Sequence, residues 1–268
     1  MKRIPLFVCA ALITAPLTLL GQASPSVRYA SGVARPLSQF ALDGGVSPFG
    51  IQLQTATNLN SHFNLRGTGS FFNYSTNFTV SGITATAKLG LASAGASLDI
   101  YPFRSGFRVS PGALFHNQNQ VTAAASVPGG TSFTLNGQTF YSANANAATG
   151  ATPVNGSAVL GLNTNKTALS ITTGWGNMIP RKGGHFSFPF EIGAAFIGAP
   201  TLHVNLGGWV CMDQAQTNCS DFASTTNPVG ASAQSALQTQ EAKWVKDLNL
   251  LKIYPIVSGG IAYRFGIR

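Results

Sequence analysis

A strict alternation of apolar and other side chains in segment 186–196 is the feature that most constrains the fold. In Phe186-Ser-Phe-Pro-Phe-Glu-Ile-Gly-Ala-Ala-Phe196, every even position is apolar, whereas Ser187 and Glu191 lie at odd positions. Successive side chains of a β-strand point to opposite faces, so a period of two indicates a strand with one apolar face. The same alternation recurs in segments 63–71, 107–116 and 169–175. We therefore expect an all-β chain.

The composition indicates which solvent the apolar faces meet. Only 9% of the 268 residues are charged, whereas soluble domains carry about 25%. A helical membrane bundle is excluded because no apolar run of about 18 residues occurs beyond the N-terminus, and the aromatic content of 10% with recurring apolar periodicity argues against disorder. Because lipid offers no partner to free backbone groups, a sheet can cross a membrane only by closing on itself. These features favour a transmembrane β-barrel, and a secreted soluble β-sandwich is the architectural alternative.

The N-terminus has the features of a secretory signal. Lys2 and Arg3 precede an apolar stretch at 4–20, and Gly21-Gln22-Ala23 places small residues where signal peptidase cleaves. We predict a cleaved signal peptide over residues 1–23, an N-terminal segment over 24–43 that includes part of the first strand, and a barrel over 44–268.

The strands and their connections follow an up-and-down pattern. We place strands at 50–57, 62–75, 83–101, 107–120, 167–176, 186–210 and 252–265. Short turns at 58–61, 102–106 and 176–185 alternate with long polar segments at 121–165 and 212–240. Within the last connection, segment 236–251 contains better helix formers with apolar residues at helical spacing, and it predicts a short amphipathic helix. Short and long connections between amphipathic strands are typical of membrane barrels.

The few charged residues in the strands are expected inside the barrel. In segment 83–100 the apolar positions change parity, from Ile83, Leu89 and Leu91 to even positions, which predicts a β-bulge at 92–95. Unpaired buried charges are costly, so charges of mixed sign in a narrow lumen are expected to pair. The inward positions predicted to form this network are Arg66, Lys88, Asp99, Arg108, Glu191 and Arg264.

Cys211 and Cys219 are the cysteines that remain after signal cleavage. In an exported chain they are expected to form a local disulfide. A metal pair is the competing interpretation, but no histidine lies beside them. Phosphate-binding loops, metal motifs and nucleophile elbows are not found in the sequence, so we expect no cofactor and no metal.

The net charge of +9 comes from basic residues that are scattered along the chain. Nucleic-acid binding would require clustered Lys and Arg, so a nucleic-acid partner is not expected. For an exported chain, the expected electrostatic partners are lipid phosphates and lipopolysaccharide.

The C-terminus carries a family resemblance. In Tyr254-Pro-Ile-Val-Ser-Gly-Gly-Ile-Ala-Tyr-Arg-Phe265, one face collects Val257, Gly259, Ile261, Tyr263 and Phe265. This segment resembles the C-terminal strand signal of bacterial outer-membrane β-barrel proteins, which the outer-membrane assembly machinery recognises. Together with segments 97–104 and 107–112, it makes the chain similar to the outer-membrane protein A-like small barrel family over most of residues 44–265.

This resemblance implies an antiparallel barrel of about eight strands in the bacterial outer membrane. It also implies short periplasmic turns, long external loops at 76–82, 121–165 and 211–251, and an association with the assembly machinery. The eighth strand must come from residues 28–46, around 37–46. We expect a monomer.

Three hypotheses about function follow. The first is a non-enzymatic barrel with a structural or narrow passive-channel role, because side chains nearly fill an eight-stranded interior. The second is surface adhesion or ligand binding through the external loops. The third is a lipid A-modifying hydrolase, since His185, Ser187 and Glu191 share parity and resemble the His-x-Ser arrangement of outer-membrane lipid A deacylases. Along one strand, however, His185 and Glu191 would lie about 20 Å apart.

Overall fold

The computed structural model describes residues 35–80, 82–103, 105–162, 167–180 and 184–266. The expected signal peptide at 1–23 and residues 24–34 lie outside the described residues. The first strands are β1 (Gln39–Ser47), β2 (Gly50–Asn58), β3 (Phe63–Val80), β4 (Ile83–Ile100), β5 (Arg108–Asn117), β6 (Gln120–Ser126), β7 (Ser132–Leu135) and β8 (Gln138–Ser142). The remaining strands are β9 (Asn155–Gly161), β10 (Ala168–Trp175), β11 (Phe186–Ser187), β12 (Phe190–Phe196), β13 (Thr201–Gly207), β14 (Trp209–Cys211), β15 (Cys219–Asp221) and β16 (Ile253–Gly266).

Helix α1 (Pro228–Asp247) and a 3-10 helix (Leu248–Lys252) lie between β15 and β16. None of the described residues belongs to a helix long and apolar enough to cross a membrane.

Eight strands close into a barrel. Hydrogen-bonded neighbours follow the ring β1, β2, β3, β4, β5, β10, β12, β16 and back to β1, and every pairing is antiparallel. This confirms the predicted up-and-down barrel, with β1 as its first strand. Both ends of the described chain and the short connections β2–β3, β4–β5 and β10–β11 lie at one end of the barrel, called here the turn end; the other end is the loop end.

The outer face of the barrel is apolar, as the alternation predicts. Outward side chains such as Leu65, Phe71 and Ile192 are about half exposed, at 47%, 50% and 50%. A row of paired residues followed once around the barrel, from Ile253 through Phe196, Ala113 and Leu42, returns to β16 ten residues further on, at Tyr263. For eight strands about 4.8 Å apart, an offset of ten residues at about 3.3 Å each corresponds to a strand tilt of about 40°, as membrane barrels have.

The connections at the loop end fold into a domain of their own. Strands β6, β9 and β13 extend the sheet from the upper half of β4, and β7, β8, β14 and β15 form a second sheet of four strands. Helix α1 packs against these strands around a core that includes Phe140, Val210, Val229 and Leu237. We call this part the cap domain. The segments predicted as long loops, 121–165 and 211–251, therefore contain five strands, β6, β7, β8, β9 and β15, as well as the helix. The segment 186–210, predicted as one strand, is divided among β11, β12, β13 and β14.

The helix is longer than predicted. It has 20 residues and begins eight residues before the expected start at 236. Asn227 caps it by accepting a hydrogen bond from the backbone N–H of Val229, and Pro228 takes a first-turn position, where its missing N–H costs nothing. This start signal precedes the amphipathic stretch and was missed in the sequence.

The predicted change of parity in β4 is wrong. Strand β4 pairs with β3 without interruption, and the irregularity at Ala94/Gly95 occurs opposite β5, where Phe115 is the extra residue. The odd positions of β4 therefore face inward along the whole strand. Ile83 is apolar because, above the barrel, this face packs against the cap-domain core. Lys88, at an even position, consequently lies on the outer face and is exposed, which corrects its expected place in the lumen.

Candidate functional site

Glu191 is the centre of a charged network inside the barrel. One oxygen, Oε2, accepts hydrogen bonds from Arg66 Nη1 at 2.8 Å, Arg108 Nη2 at 3.3 Å and Thr172 Oγ1 at 3.1 Å. The other oxygen, Oε1, accepts from the hydroxyl of Ser258 at 2.9 Å. The carboxylate, only 3% exposed, is thus held by side chains from four other strands.

Asp99 extends the network across the lumen. Its Oδ1 accepts from Arg66 Nε at 3.0 Å and from Ser110 Oγ at 2.7 Å. Arg66 also donates to Gln54 Oε1 at 2.8 Å, so its guanidinium links β2, β3, β4 and β12. Because each buried charge in this group has at least one charged partner, the pairs offset the cost of removing the ions from water.

The turn end of the lumen is closed by the connection that follows β10. Met178 and Ile179 are 0% and 2% exposed and pack against Ala41, Ala56 and Ala262 inside the barrel. Asn177 fixes this connection, because its Oδ1 accepts from Asn64 Nδ2 and from the N–H of Ile179, both at 3.0 Å. Arg108 Nη1 also donates to the carbonyl of Gly176. The charged network and the closed end are therefore joined.

The loop end of the lumen is closed by an apolar layer. Phe49 and Tyr254 stack with ring centroids 4.4 Å apart, and Ile197 and Ile256 are buried in the same cluster. Between this layer and the charged network lies a hollow of about 50 Å³, lined largely by serine, threonine and glutamine side chains. A volume of this size holds one or two water molecules. The described residues therefore fill the lumen in three layers: the closed turn end, the charged network and the apolar layer.

Comparison with solved structures supports the architecture. The crystal structure of Acinetobacter baumannii CarO2 superimposes with a TM-score of 0.51 at 17% identity, covering 87% of this chain and 100% of that chain. The crystal structure of A. baumannii CarO gives 0.50 at 17% identity, covering 86% and 98%. The fold is that of an outer-membrane β-barrel.

Sequence comparisons give no closer assignment. No protein-family model matches the chain, and no curated protein matches it. The resemblance to the outer-membrane protein A-like family therefore stays a hypothesis, as does cleavage of the signal peptide.

The structure brings together four of the six residues expected in the lumen network: Arg66, Asp99, Arg108 and Glu191. Arg264 lies on the inward face near the turn end, where its Nη1 donates to the carbonyl of Pro180 at 2.6 Å. Lys88 lies outside. The residues of the expected assembly signal are on the outward face of β16: Val257, Gly259, Ile261, Tyr263 and Phe265.

Sequence reasoning missed Asp43. Its side chain is 4% exposed in the lumen beside Gln54, and neither carboxylate oxygen has a hydrogen-bond partner. The sequence did contain a signal for this residue, since Asp43 lies between Leu42 and Gly44 in the segment expected to supply the first strand. Without a fixed register for that strand, its inward positions could not be identified.

The residues of the hydrolase hypothesis do not form a catalytic arrangement. His185 is exposed, and its Nδ1 lies 3.0 Å from the carbonyl oxygen of Arg264. Ser187 Oγ is buried without a hydrogen-bond partner, and Glu191 is held by the arginines. In the described part of the chain, no hydrogen bond links any two of the three. No group of His, Cys, Asp or Glu among the described residues could hold a metal ion.

The predicted disulfide is confirmed in the cap domain. Cys211 and Cys219 are bonded and join the paired strands β14 and β15. Within the closed loop, Asp213 accepts hydrogen bonds from the hydroxyl and the backbone N–H of Thr217. These bonds hold the pKa of the Asp213 carboxyl below its usual value of 3.8. The loop is therefore fixed at both its base and its tip.

Proposed function

We propose that this protein is a non-enzymatic outer-membrane β-barrel with a structural role, closed at rest, which passes small solutes only when the lumen contacts separate. The observation that carries the proposal is the convergence of Arg66 and Arg108 on Glu191 in a lumen sealed at both ends. An open passive channel would need a continuous wet path, whereas an eight-stranded barrel has an interior that side chains can fill.

Conductance across planar bilayers tests this proposal. We expect the wild-type protein to give no steady conductance at several salt concentrations. The double variant Arg66→Ala/Glu191→Ala removes one charge of each sign from the centre of the lumen and should give measurable openings. The matched control, Lys246→Ala/Asp247→Ala, changes the same number of charges at exposed positions of the external helix and should remain closed. Steady wild-type conductance would overturn the closed-lumen proposal.

Absence of hydrolytic activity is part of the same proposal. It is supported by the separation of Ser187 Oγ and His185 from each other and from Glu191. Lipid A incubated with the purified protein should keep all its acyl chains, as measured by mass spectrometry. Deacylation by the wild type that is lost in Ser187→Ala would contradict the proposal.

Binding through the cap domain is the second candidate function. It is favoured by one specific observation, namely that the external segments form two sheets and a helix around their own core rather than flexible loops. Replacing both 121–161 and 199–250 by short Gly-Ser linkers should abolish adhesion of expressing cells to a cultured-cell monolayer if this domain is the adhesive part. Unchanged adhesion would exclude it.

We also infer that the chain is a monomer, that the turn end is periplasmic and the cap domain external, and that β16 is the segment presented to the outer-membrane assembly machinery. The outward row from Val257 to Phe265 supports the last inference, because it is apolar and ends at the turn end of the barrel. Phe265→Asp should reduce the amount of folded barrel in outer membranes, whereas His185→Asp, at an exposed position near the same end, should not.

A further inference from the structure

Lys88 lies in a row of polar side chains on the outer face, just above the lipid-facing belt. In the register it is flanked by Ser75 on β3 and Thr122 on β6. One pair closer to the membrane, Asn73 and Gln120 flank Gly90. Because Gly90 has no side chain, these residues line an open hollow of about 380 Å³ on the surface. We call it the Lys88 hollow.

Five of the residues that line the Lys88 hollow have side chains that can donate a hydrogen bond to a ligand in it, and Tyr74, Leu89 and Gly90 complete the lining. Lys88 supplies an ammonium group, Asn73 and Gln120 supply amides, and Ser75 and Thr122 supply hydroxyls. The side chain of Asn73 reaches over Gly90, since its Oδ1 is 3.6 Å from the position that a Cβ would take there, and its Nδ2 is the donor that this amide offers. A cation with converging neutral donors above a glycine is the chemistry that recognises a phosphate group.

No carboxylate competes for Lys88. All seven acidic residues of the chain are described: Asp43, Asp99 and Glu191 lie in the lumen, and Asp213, Asp221, Glu241 and Asp247 lie in the cap domain. In the described part of the molecule, Lys88 takes part in no ion pair. Its charge is thus available to an anion from outside the protein.

The height of the Lys88 hollow indicates the source of that anion. Phe71 is the last large apolar side chain on the outer face of β3, and it pairs with Ala92. Lys88 lies four residues beyond Ala92, which is about 13 Å along the strand or roughly 10 Å above that level at a tilt of about 40°. The polar headgroup layer lies directly outside the hydrocarbon core, and a lysine side chain can reach back toward it.

We propose that the Lys88 hollow binds a phosphate of lipopolysaccharide, with the Lys88 ammonium as the charged contact and the side chains of Asn73, Ser75, Gln120 and Thr122 as neutral donors. The proposal rests on the outer-membrane location, because lipopolysaccharide forms the outer leaflet that surrounds the external rim. The acyl chains would lie along the apolar face below the hollow, beside Phe71 and Leu98, and the sugar would contact the polar outer face of the sheet.

Titration of purified protein in detergent with fluorescent lipid A tests the proposal. We expect Lys88→Ala to weaken binding about 5–10-fold and Lys88→Glu to weaken it more. Gly90→Leu keeps the charge but fills the hollow, so it should weaken binding to a similar extent. Lys246→Ala, which removes an exposed lysine from the cap domain, should bind as the wild type does. Equal binding by all four variants would overturn the proposal.

Three further ligands, namely lipid A without phosphates, phosphatidylglycerol and inorganic phosphate, distinguish the possible sources of the phosphate. Lipid A without its phosphates should bind weakly and equally to the wild type and Lys88→Ala. Phosphatidylglycerol in mixed micelles should compete poorly. Competition by inorganic phosphate at micromolar concentration, or phosphatidylglycerol binding as tight and as dependent on Lys88 as that of lipid A, would overturn the assignment to lipopolysaccharide. Heat-modifiable migration of each variant verifies that the barrel is folded, so failure of this site is distinguishable from failure of the outer-membrane proposal.

Discussion

Glu191 accepts more hydrogen bonds from the lumen than any other carboxylate described, and its charge is balanced by two arginines. Glu191→Gln keeps the shape of the side chain but leaves the guanidinium groups of Arg66 and Arg108 with less negative charge in a buried site. Removing one partner of a buried ion pair costs about 3–5 kcal/mol. We expect a loss of this size in the free energy of unfolding of the detergent-folded protein, measured in urea by circular dichroism.

The control for this change is Asp247→Asn, which neutralises an exposed carboxylate at the end of α1. Exposed charges contribute about 0–1 kcal/mol, so this variant should unfold as the wild type does. A Glu191→Gln variant as stable as the control would show that the network does not hold the barrel together.

At the residue scale, parity predicted inward positions correctly wherever a strand carried an unambiguous apolar face. It placed Arg66 and Glu191 inside, because the residues next to them in the sequence belong to the apolar face that points outward. It failed at Lys88, since the apolar residues of upper β4 pack against the cap domain and not against lipid. Alternation reports which face is apolar, and it does not report what covers that face.

At the scale of elements, the disulfide between β14 and β15 is expected to stabilise the cap domain and not the barrel. The bond closes a short loop with a sequence separation of 8, for which loop-closure entropy gives about 2.5 kcal/mol. Cys211→Ser/Cys219→Ser should therefore lower the melting temperature of the cap domain. The barrel should keep its heat-modifiable migration on gels, and loss of that migration would contradict this assignment.

Barrel strands were easier to predict than the elements of the cap domain. Lipid on one side and a packed lumen on the other impose a period of two on every barrel strand. Cap strands such as β7 and β14 have only four and three residues, which is too short for periodicity to identify. Helix α1 began earlier than expected because its cap and its proline, and not its apolar stripe, determine the start.

At the scale of the whole molecule, the barrel and the cap domain have separate cores, so we expect them to unfold in separate steps. The three tryptophans report on the two parts. Trp175 lies on the outer face of the barrel, whereas Trp209 and Trp244 belong to the cap domain. The variant Trp209→Phe/Trp244→Phe should report only barrel unfolding, and Trp175→Phe only cap unfolding. In guanidinium, the second variant should show the earlier transition; coincident transitions would indicate one cooperative unit.

The pairing of β1 with β16, from Gln39 opposite Gly266 to Val46 opposite Gly259, has a consequence for biogenesis. The first and last strands of the barrel are joined, so the ring cannot close until the final segment of the chain has been synthesised. Contacts between such distant parts of a sequence form slowly, and until they form, both strands present unpaired edges that favour aggregation. The time at which β16 becomes available therefore sets the earliest moment at which the ring can close.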